Sequence, residues 1–198
     1  MSRVFLLSPA HCGGLRAQLL LREEASFGLA ERLRSGETTL GETFSFLSGL
    51  YFRGKLTYAT TFTSDPADRL VITTHRGLVR ADAPLTRRAL QAFGKVDIDV
   101  ADPRYSRPLQ RDAKRLLARL GDREVVLLGS IASKKYVELL TEIFGARLLF
   151  PSDFVGRGDM SRGGLLLRAA RAREELRCEP VRGAVRTGRR PPKLARLR

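Results

Sequence analysis

The feature that most constrains the fold is a set of four short apolar runs, at residues 4–7, 70–73, 125–128 and 147–150. Longer amphipathic stretches separate these runs. A continuous apolar run is typical of a strand covered on both faces, and alternation of such strands with helices indicates a parallel sheet. We therefore predict an α/β fold: a single domain with a mostly parallel central sheet and helices on both faces.

The domain is expected to cover residues 1–181, because a chain of 198 residues suits one well-buried core. Residues 182–198 have a different composition. They contain seven Lys or Arg side chains, no acidic residue and the pair Pro191-Pro192, without apolar periodicity. This pattern predicts a disordered, basic, Arg/Pro-rich C-terminal tail.

The helices are predicted from apolar residues that recur at helical spacing. Residues 108–120 form the clearest stripe. Residues 133–144 form a second helix, with Ser133 as the N-cap and Gly145 as the stop. The spacing in residues 165–176 is compatible with either a strand or a helix. Further helices are expected at residues 15–22, 29–34, 44–62 (with a break at a glycine) and 85–93.

The net charge of +15 favours an anionic ligand or a polyanionic partner such as nucleic acid, although arginine-rich coding bias would produce the same excess. Two isolated cysteines are too few for a zinc cluster or a disulfide framework. No apolar run approaches the length of a signal-peptide core or a membrane span. The expected protein is soluble and cytoplasmic, with no membrane partner.

Polar residues follow each predicted strand, where ligands bind in parallel sheets. The loops after the first and second strands contain the two histidines of the chain, His11 and His75. We expect all four strand exits to lie on one rim, with His75 as the preferred general acid or base and His11 as the second. Either histidine could instead only satisfy a turn. The other ligand-binding candidates near the first and third strands are Ser8, Gly129, Ser130, Ser133 and Lys134.

The loop after the fourth strand, PSDFVGRGDMSRGG, is rich in glycine and arginine. Glycine loses the most conformational entropy on ordering, so an ordered loop of this composition indicates a ligand. Asp159 is expected to orient a partner or a water molecule. The backbone and side chains of Gly156, Arg157, Gly158, Ser161 and Arg162 are expected to hold a phosphate or carboxylate.

Two further clusters have competing interpretations. Asp97 and Asp99, on one face of a short strand, could bind a divalent cation or hydrogen-bond a nucleobase, or could simply pair with nearby arginines. The aromatic and basic residues 44–55 could stack on a free base or form core. Neither the Walker spacing nor the dinucleotide-binding fingerprint is present. We therefore expect no cofactor and no metal.

Two segments, FSFLSGLYFRGKLTYA and LLFPSDFVGRGDMSRGGLLLR, resemble an uncharacterised family of bacterial proteins for which the resemblance implies no activity. More distantly, VITTHRGLV, an Asp-rich stretch and the VVLLGS strand are similar in order to peroxide-stress YaaA-like and uracil-DNA-glycosylase-like α/β folds. The hallmark glycosylase motifs are absent from this chain.

The sequence thus predicts an α/β enzyme or binding domain for a phosphorylated or nucleotide-like ligand. If it is an enzyme, it is expected to be a hydrolase or glycosylase that cleaves a phosphoester or glycosidic bond in a nucleotide or nucleic acid. The alternative is a non-catalytic nucleic-acid-binding protein that uses its basic surface and tail.

Overall fold

The four apolar runs form four adjacent parallel strands at the centre of a six-stranded sheet. In the computed structural model, which describes residues 3–194, the strands are β1 (Arg3–Leu7), β2 (Thr38–Thr39), β3 (Arg69–Ile72), β4 (Leu78–Arg80), β5 (Pro84–Leu85), β6 (Glu124–Leu128), β7 (Leu148–Pro151) and β8 (Cys178–Pro180). The sheet has the order β4-β3-β1-β6-β7-β8, and β2 pairs with β5 separately. The predicted fold class is confirmed.

The central strands are apolar throughout because they are buried on both faces. Leu6 of β1 pairs with Leu70 of β3 on one side and with Leu127 of β6 on the other, and all three side chains are buried. The edge strands β4 and β8 are not among the strands predicted from the sequence. They run antiparallel to their neighbours and lack full burial, so no apolar run marks them.

Helices flank the sheet. They are α1 (Leu15–Leu20), α2 (Gly28–Ser35), α3 (Leu40–Ser48), α4 (Leu50–Phe62), α5 (Arg87–Phe93), α6 (Pro103–Ala118), α7 (Val137–Phe144) and α8 (Asp159–Ala172). Helix α4 packs on β1 and β3, whereas α7 packs on β7 and α6. Within residues 3–194, no helix has both the length and the apolar character needed to cross a membrane.

Several helix boundaries differ from the predicted ones. The break expected in residues 44–62 falls at Gly49, whose φ of +61° ends α3. Helix α6 begins at Pro103 rather than at residue 108, because the side chain of Asp102 caps its first turn. Helix α7 begins four residues after Ser133, whose hydroxyl accepts a hydrogen bond from the backbone N–H of Lys135 in the preceding turn.

Most of residues 165–176, for which the sequence allowed a strand or a helix, belong to helix α8. This helix also includes the second half of the predicted glycine- and arginine-rich loop, so the loop is shorter than expected. The helix extends from Asp159 to Ala172 with Gly158 at its N-cap position. Ser161 and Arg162, which the sequence analysis placed in a loop, therefore lie in the first turn of a helix. The glycines at positions 163 and 164 weaken the helical pattern in the sequence, which is why residues 165–176 were compatible with two states.

Residues 182–194 contain no helix or strand, and the rest of the predicted tail lies outside the described residues. This segment lies against the loop after β7. Gly188 approaches Val155, and the carbonyl oxygen of Pro192 accepts a hydrogen bond of 3.4 Å from Nη1 of Arg157. The loop after β7, which contains Gly156 and Arg157 and was predicted to hold an anion, is therefore covered by residues 182–194 of the same chain.

The strand order places a topological switch point between β1 and β6. From β1 the chain crosses to β3 on one side, and from β6 it crosses to β7 on the other side. Because such crossovers are right-handed, the segments that leave β1 and β6 pass to opposite faces of the sheet. A crevice opens between them at the carboxyl ends of these strands, which is where open α/β sheets bind ligands.

Candidate active site

A cavity of about 410 Å³ lies in this crevice. Residues that follow β1 and β6 form two of its walls, and residues of α3, α4 and α8 close it from the side. The lining consists of Ser8, Pro9, Ala10, His11, Ser48, Tyr51, Ile98, Ser130, Ser133, Lys135, Tyr136 and Asp159. Five of these residues, namely Ser8, His11, Ser130, Ser133 and Asp159, belong to the site predicted from the sequence.

Gly129 lies just outside the cavity and determines its shape. A Cβ atom at this position would lie 2.8 Å from Cβ of Ser8 and 2.9 Å from Oη of Tyr136. The Ser8 atom is next to the backbone and the Tyr136 hydroxyl lies on a rigid ring, so neither atom can move aside easily. The absence of a side chain at Gly129 therefore allows the Tyr136 hydroxyl to approach Ser8.

His75 does not line this cavity. Its Nδ1 atom lies 3.3 Å from Oγ1 of Thr74, and its ring packs on Phe93 with 5.1 Å between the ring centroids. Burial and the neighbouring Arg76 lower the pKa of the imidazole. The strand β3, which His75 follows, is one position away from the switch point, so His11 is the histidine that reaches the cavity.

Arg157 and Ser161 also lie elsewhere. Arg157 donates hydrogen bonds to the carbonyl oxygen of Asp153 (2.9 Å) and to Oγ of Ser161 (3.2 Å). Both residues line a separate groove of about 320 Å³ together with residues 190–194. Gly156 has a φ of +72°, and a Cβ atom there would contact the carbonyl oxygen of Arg189. Neither Gly158 nor Lys134 lines the cavity.

The residue that the sequence analysis missed is Lys55. It is only 1% exposed, and its Nζ atom donates hydrogen bonds to the carbonyl oxygen of Ser8 (2.7 Å) and to Oγ of the same residue (2.9 Å). The rings of Tyr51 and Phe52 lie 4.4 and 4.7 Å from Nζ. No carboxylate of residues 3–194 forms an ion pair with this ammonium group.

Burial lowers the pKa of Lys55 to about 7, an effect that Asp159 opposes and Arg162 reinforces. At neutral pH a substantial fraction of the amine is therefore unprotonated. A neutral amine can accept a proton, whereas an ordinary lysine cannot at this pH.

A close crossing of α4 and α8 places Lys55 beside the acidic and basic residues of α8. A Cβ atom on Gly54 would lie 2.7 Å from the carbonyl oxygen of Gly163, and one on Gly163 would lie 2.7 Å from the carbonyl oxygen of Leu50. The two helices thus meet backbone to backbone. The two motifs on which the family resemblance rests are the two sides of this crossing.

Arg162 of α8 and Tyr51 of α4 lie beside Lys55 at this crossing. The Arg162 side chain is 11% exposed and donates to the carbonyl oxygen of Phe154 (3.2 Å) and to Oδ1 of Asp159 (3.2 Å). The buried hydroxyl of Tyr51 has no hydrogen-bond partner within residues 3–194. Burial raises the pKa of this hydroxyl, although the nearby Arg162 opposes the shift. Tyr51 lines the cavity, and its hydroxyl interacts there with the Arg162 side chain.

The Tyr136 hydroxyl donates a hydrogen bond of 3.2 Å to the carbonyl oxygen of Ser130. Burial raises its pKa, and the hydroxyl of Ser8 and the charge of Arg162 oppose the shift. Tyr136 therefore remains a neutral proton donor beside Ser8 at physiological pH.

A signal for Lys55 exists in the sequence. Tyr51, Phe52, Lys55 and Tyr58 recur at helical spacing, and all four are buried on the inner face of α4. A lysine within an otherwise aromatic stripe is costly unless it has partners. Its first three members belong to residues 44–55, for which the sequence allows a stacking platform or core, and the structure buries all three.

Within residues 3–194, no three His, Cys, Asp or Glu side chains are grouped closely enough to hold a metal ion. Comparison of the chain with protein-family models, curated proteins and solved structures finds no match. The resemblances noted from the sequence therefore stay predictions, as does a nucleic-acid partner. The exposed basic side chains of α6 on which such a partner would bind do not line the cavity.

The buried amine makes stability depend on pH. The pKa of Lys55 falls from 10.5 to about 7 on folding. Between these values the unfolded chain holds a proton that the folded chain lacks, so raising the pH favours folding. From about pH 7 to about pH 9, the free energy of unfolding should rise by about 2 kcal/mol more than in Lys55→Met. Urea denaturation of both proteins measures this difference.

The Lys55→Met variant provides the reference because it shares all other titrating groups. Burial raises the pKa of Cys12 to about 12 and that of Cys178 to about 11. These thiols destabilise the fold only as the pH rises past 9.0, their ordinary pKa, and they do so equally in both proteins. Parallel pH dependence in the two proteins would mean that Lys55 is protonated in the folded state.

Proposed function

We propose that the protein is an enzyme that cleaves a phosphoester bond of a small phosphorylated molecule, with Ser8 as the nucleophile and Lys55 as the general base. One observation carries this proposal. The Oγ atom of Ser8, at the edge of the cavity, lies 2.9 Å from the Nζ atom of a buried lysine whose pKa is about 7. A serine hydroxyl is a weak nucleophile until an adjacent base takes its proton, and lysine is a known base for this purpose.

The remaining groups of the cavity support a phosphorylated substrate. Lys135 and His11 lie in the lining, and the hydroxyl of Tyr51, which also lines the cavity, can donate a hydrogen bond to a phosphate oxygen. Asp159 raises the pKa of Lys55 and so stabilises the ammonium group that forms when Lys55 takes the serine proton. Glycosidic cleavage is supported less well, since it commonly needs two facing carboxylates and Asp159 is the one carboxylate among the lining residues.

The proposed reaction has two steps. In the first, Oγ of Ser8 attacks phosphorus and passes its proton to Lys55, while the leaving oxygen departs and takes a proton from His11. In the second, water attacks the phosphoserine and gives one proton to His11. The bond between phosphorus and Oγ breaks, and Lys55 returns its proton to Ser8. The products are an alcohol and inorganic phosphate, and all side chains regain their starting protonation.

Labelling with a fluorophosphonate tests the nucleophile. The expected product is a phosphonylated Ser8, in which an oxygen–phosphorus bond has formed and fluoride has left. Ser8→Ala should abolish the label. Ser48→Ala should retain it, because Ser48 lines the same cavity but forms no hydrogen bond with a lysine of residues 3–194. Peptide mass spectrometry locates the adduct. Absence of label from the unmodified protein, or a label on Ser48, contradicts the proposal.

Two chromogenic esters distinguish the reaction class. Turnover of p-nitrophenyl phosphate that is lost in Ser8→Ala supports phosphoester cleavage. Turnover of p-nitrophenyl acetate alone would retain Ser8 as the nucleophile but overturn the phosphoester assignment, because the same serine and base also suit acyl transfer.

A further inference from the structure

A second, smaller cavity of about 200 Å³ adjoins the first. The two share Ala10, His11, Ile98 and Lys135 in their linings. The two cavities therefore lie side by side as a larger and a smaller chamber, of about 410 and 200 Å³, with a shared wall. A substrate that occupies both chambers must have two parts joined across this wall.

The shared wall carries positive charge. The ring of His11 lies over Gly14, where a Cβ atom would be 3.0 Å from Cδ2 of the histidine. The absence of a side chain at Gly14 thus leaves room for the imidazole. The side chain of Lys135 borders both chambers. The anionic part of a substrate is favoured at this wall, close to Ser8 in the larger chamber.

The smaller chamber has the walls of a heterocycle site. Phe93, Val96 and Ile98 supply its apolar surface. Asp97 supplies an exposed carboxylate that makes no hydrogen bond within residues 3–194, although it interacts electrostatically with Arg104. The short strand expected around Asp97 is absent from the structure, so this side chain lies in a loop that borders the chamber.

We propose that the smaller chamber binds the nucleobase of a nucleotide substrate, and that Asp97 selects a guanine-type edge. This inference rests on the proposed function, because it places the phosphate beside Ser8. An ionised carboxylate only accepts hydrogen bonds. It therefore matches an edge with two adjacent N–H donors, such as N1 and the exocyclic amine of guanine, and mismatches adenine, which presents a ring acceptor beside its amine.

Binding to Ser8→Ala tests this inference without turnover. Isothermal titration calorimetry should give an affinity for guanosine monophosphate at least ten-fold higher than for adenosine monophosphate or ribose 5-phosphate. Asp97→Asn in the same background should remove at least ten-fold of that affinity and leave ribose 5-phosphate binding unchanged. Asp99→Asn is the matched control, since Asp99 is a nearby exposed acid that lines neither chamber and accepts from the backbone N–H of Ala101.

The outcomes separate this inference from the proposed function. Equal affinity for guanosine monophosphate and ribose 5-phosphate, absence of guanosine monophosphate binding, or an affinity that Asp97→Asn leaves unchanged overturns the nucleobase chamber, whatever the fluorophosphonate label shows. Selective binding of guanosine monophosphate by a protein whose Ser8 does not react supports the chamber and overturns the catalytic proposal alone.

Discussion

The Lys55→Met variant is expected to react with a fluorophosphonate at Ser8 about 10³-fold more slowly than the unmodified protein. Methionine has a similar length and no branching, so it fills the space between the rings of Tyr51 and Phe52. It cannot accept the serine proton, and a positioned general base typically contributes 10²- to 10⁴-fold to a rate. Mass spectrometry of the Ser8 peptide over time gives the rate constant.

The pH profile of labelling identifies the base. In the unmodified protein the rate should rise with pH through about 7, the pKa of Lys55, and level off above it, since the neutral amine is the active form. The small residual rate of Lys55→Met should lack this step. Lys114→Met, which changes an exposed lysine of α6 outside both chambers, should retain both rate and profile. An unchanged rate in Lys55→Met would overturn the role of Lys55.

Alanine at Gly163 is expected to lower the free energy of unfolding by about 1–3 kcal/mol, because the added methyl group overpacks a close contact. Its Cβ atom would lie within 2.9 Å of the carbonyl group of Leu50 and of Cα of Tyr51. These are backbone atoms of a helix, so they cannot move aside singly. Urea denaturation with circular dichroism measures the loss.

Gly164→Ala is the matched control for this change. The Cβ atom would lie 3.4 Å from Cδ1 of Leu194, which is an ordinary contact with the end of a side chain. Alanine is the better helix former by about 1 kcal/mol, so this variant should be as stable as the unmodified protein or slightly more stable. Equal stability of the two alanine variants would contradict the backbone packing of α4 on α8.

The central sheet was predictable because a strand that is buried on both faces appears in the sequence as a continuous run of apolar residues. Residues 125–128 could form little other than a covered strand. Neither β4 nor β8 leaves such a trace, since each is short, partly exposed and defined by the neighbour with which it pairs. The identity of α8 was hidden for a related reason. Its glycines oppose helix formation locally, and the crossing with α4 that requires Gly163 is a contact between segments more than 100 residues apart.

The candidate site was predictable to the extent that it follows the strand ends. Ser8, His11 and Ser130 were found because the carboxyl ends of β1 and β6 meet at the switch point. Lys55 was missed because its position depends on how α4 lies over the end of β1. Nothing local to residues 44–62 encodes that placement. Arg157 was chosen for its glycine-rich surroundings, but residues 182–194 occupy that loop.

The backbone contact of α4 with α8 divides the pocket into two halves with different tolerance for change. The nucleophile's base and its charged neighbours lie on the pair of helices that meet at Gly54 and Gly163, where an added Cβ atom would lie 2.7 Å from backbone of the other helix. The opposite half consists of turns after β1 and β6, and the first of these turns carries Ser8 and His11. Redesign of selectivity should therefore begin in the loop of residues 96–98 at the smaller chamber, which carries neither the nucleophile nor its base.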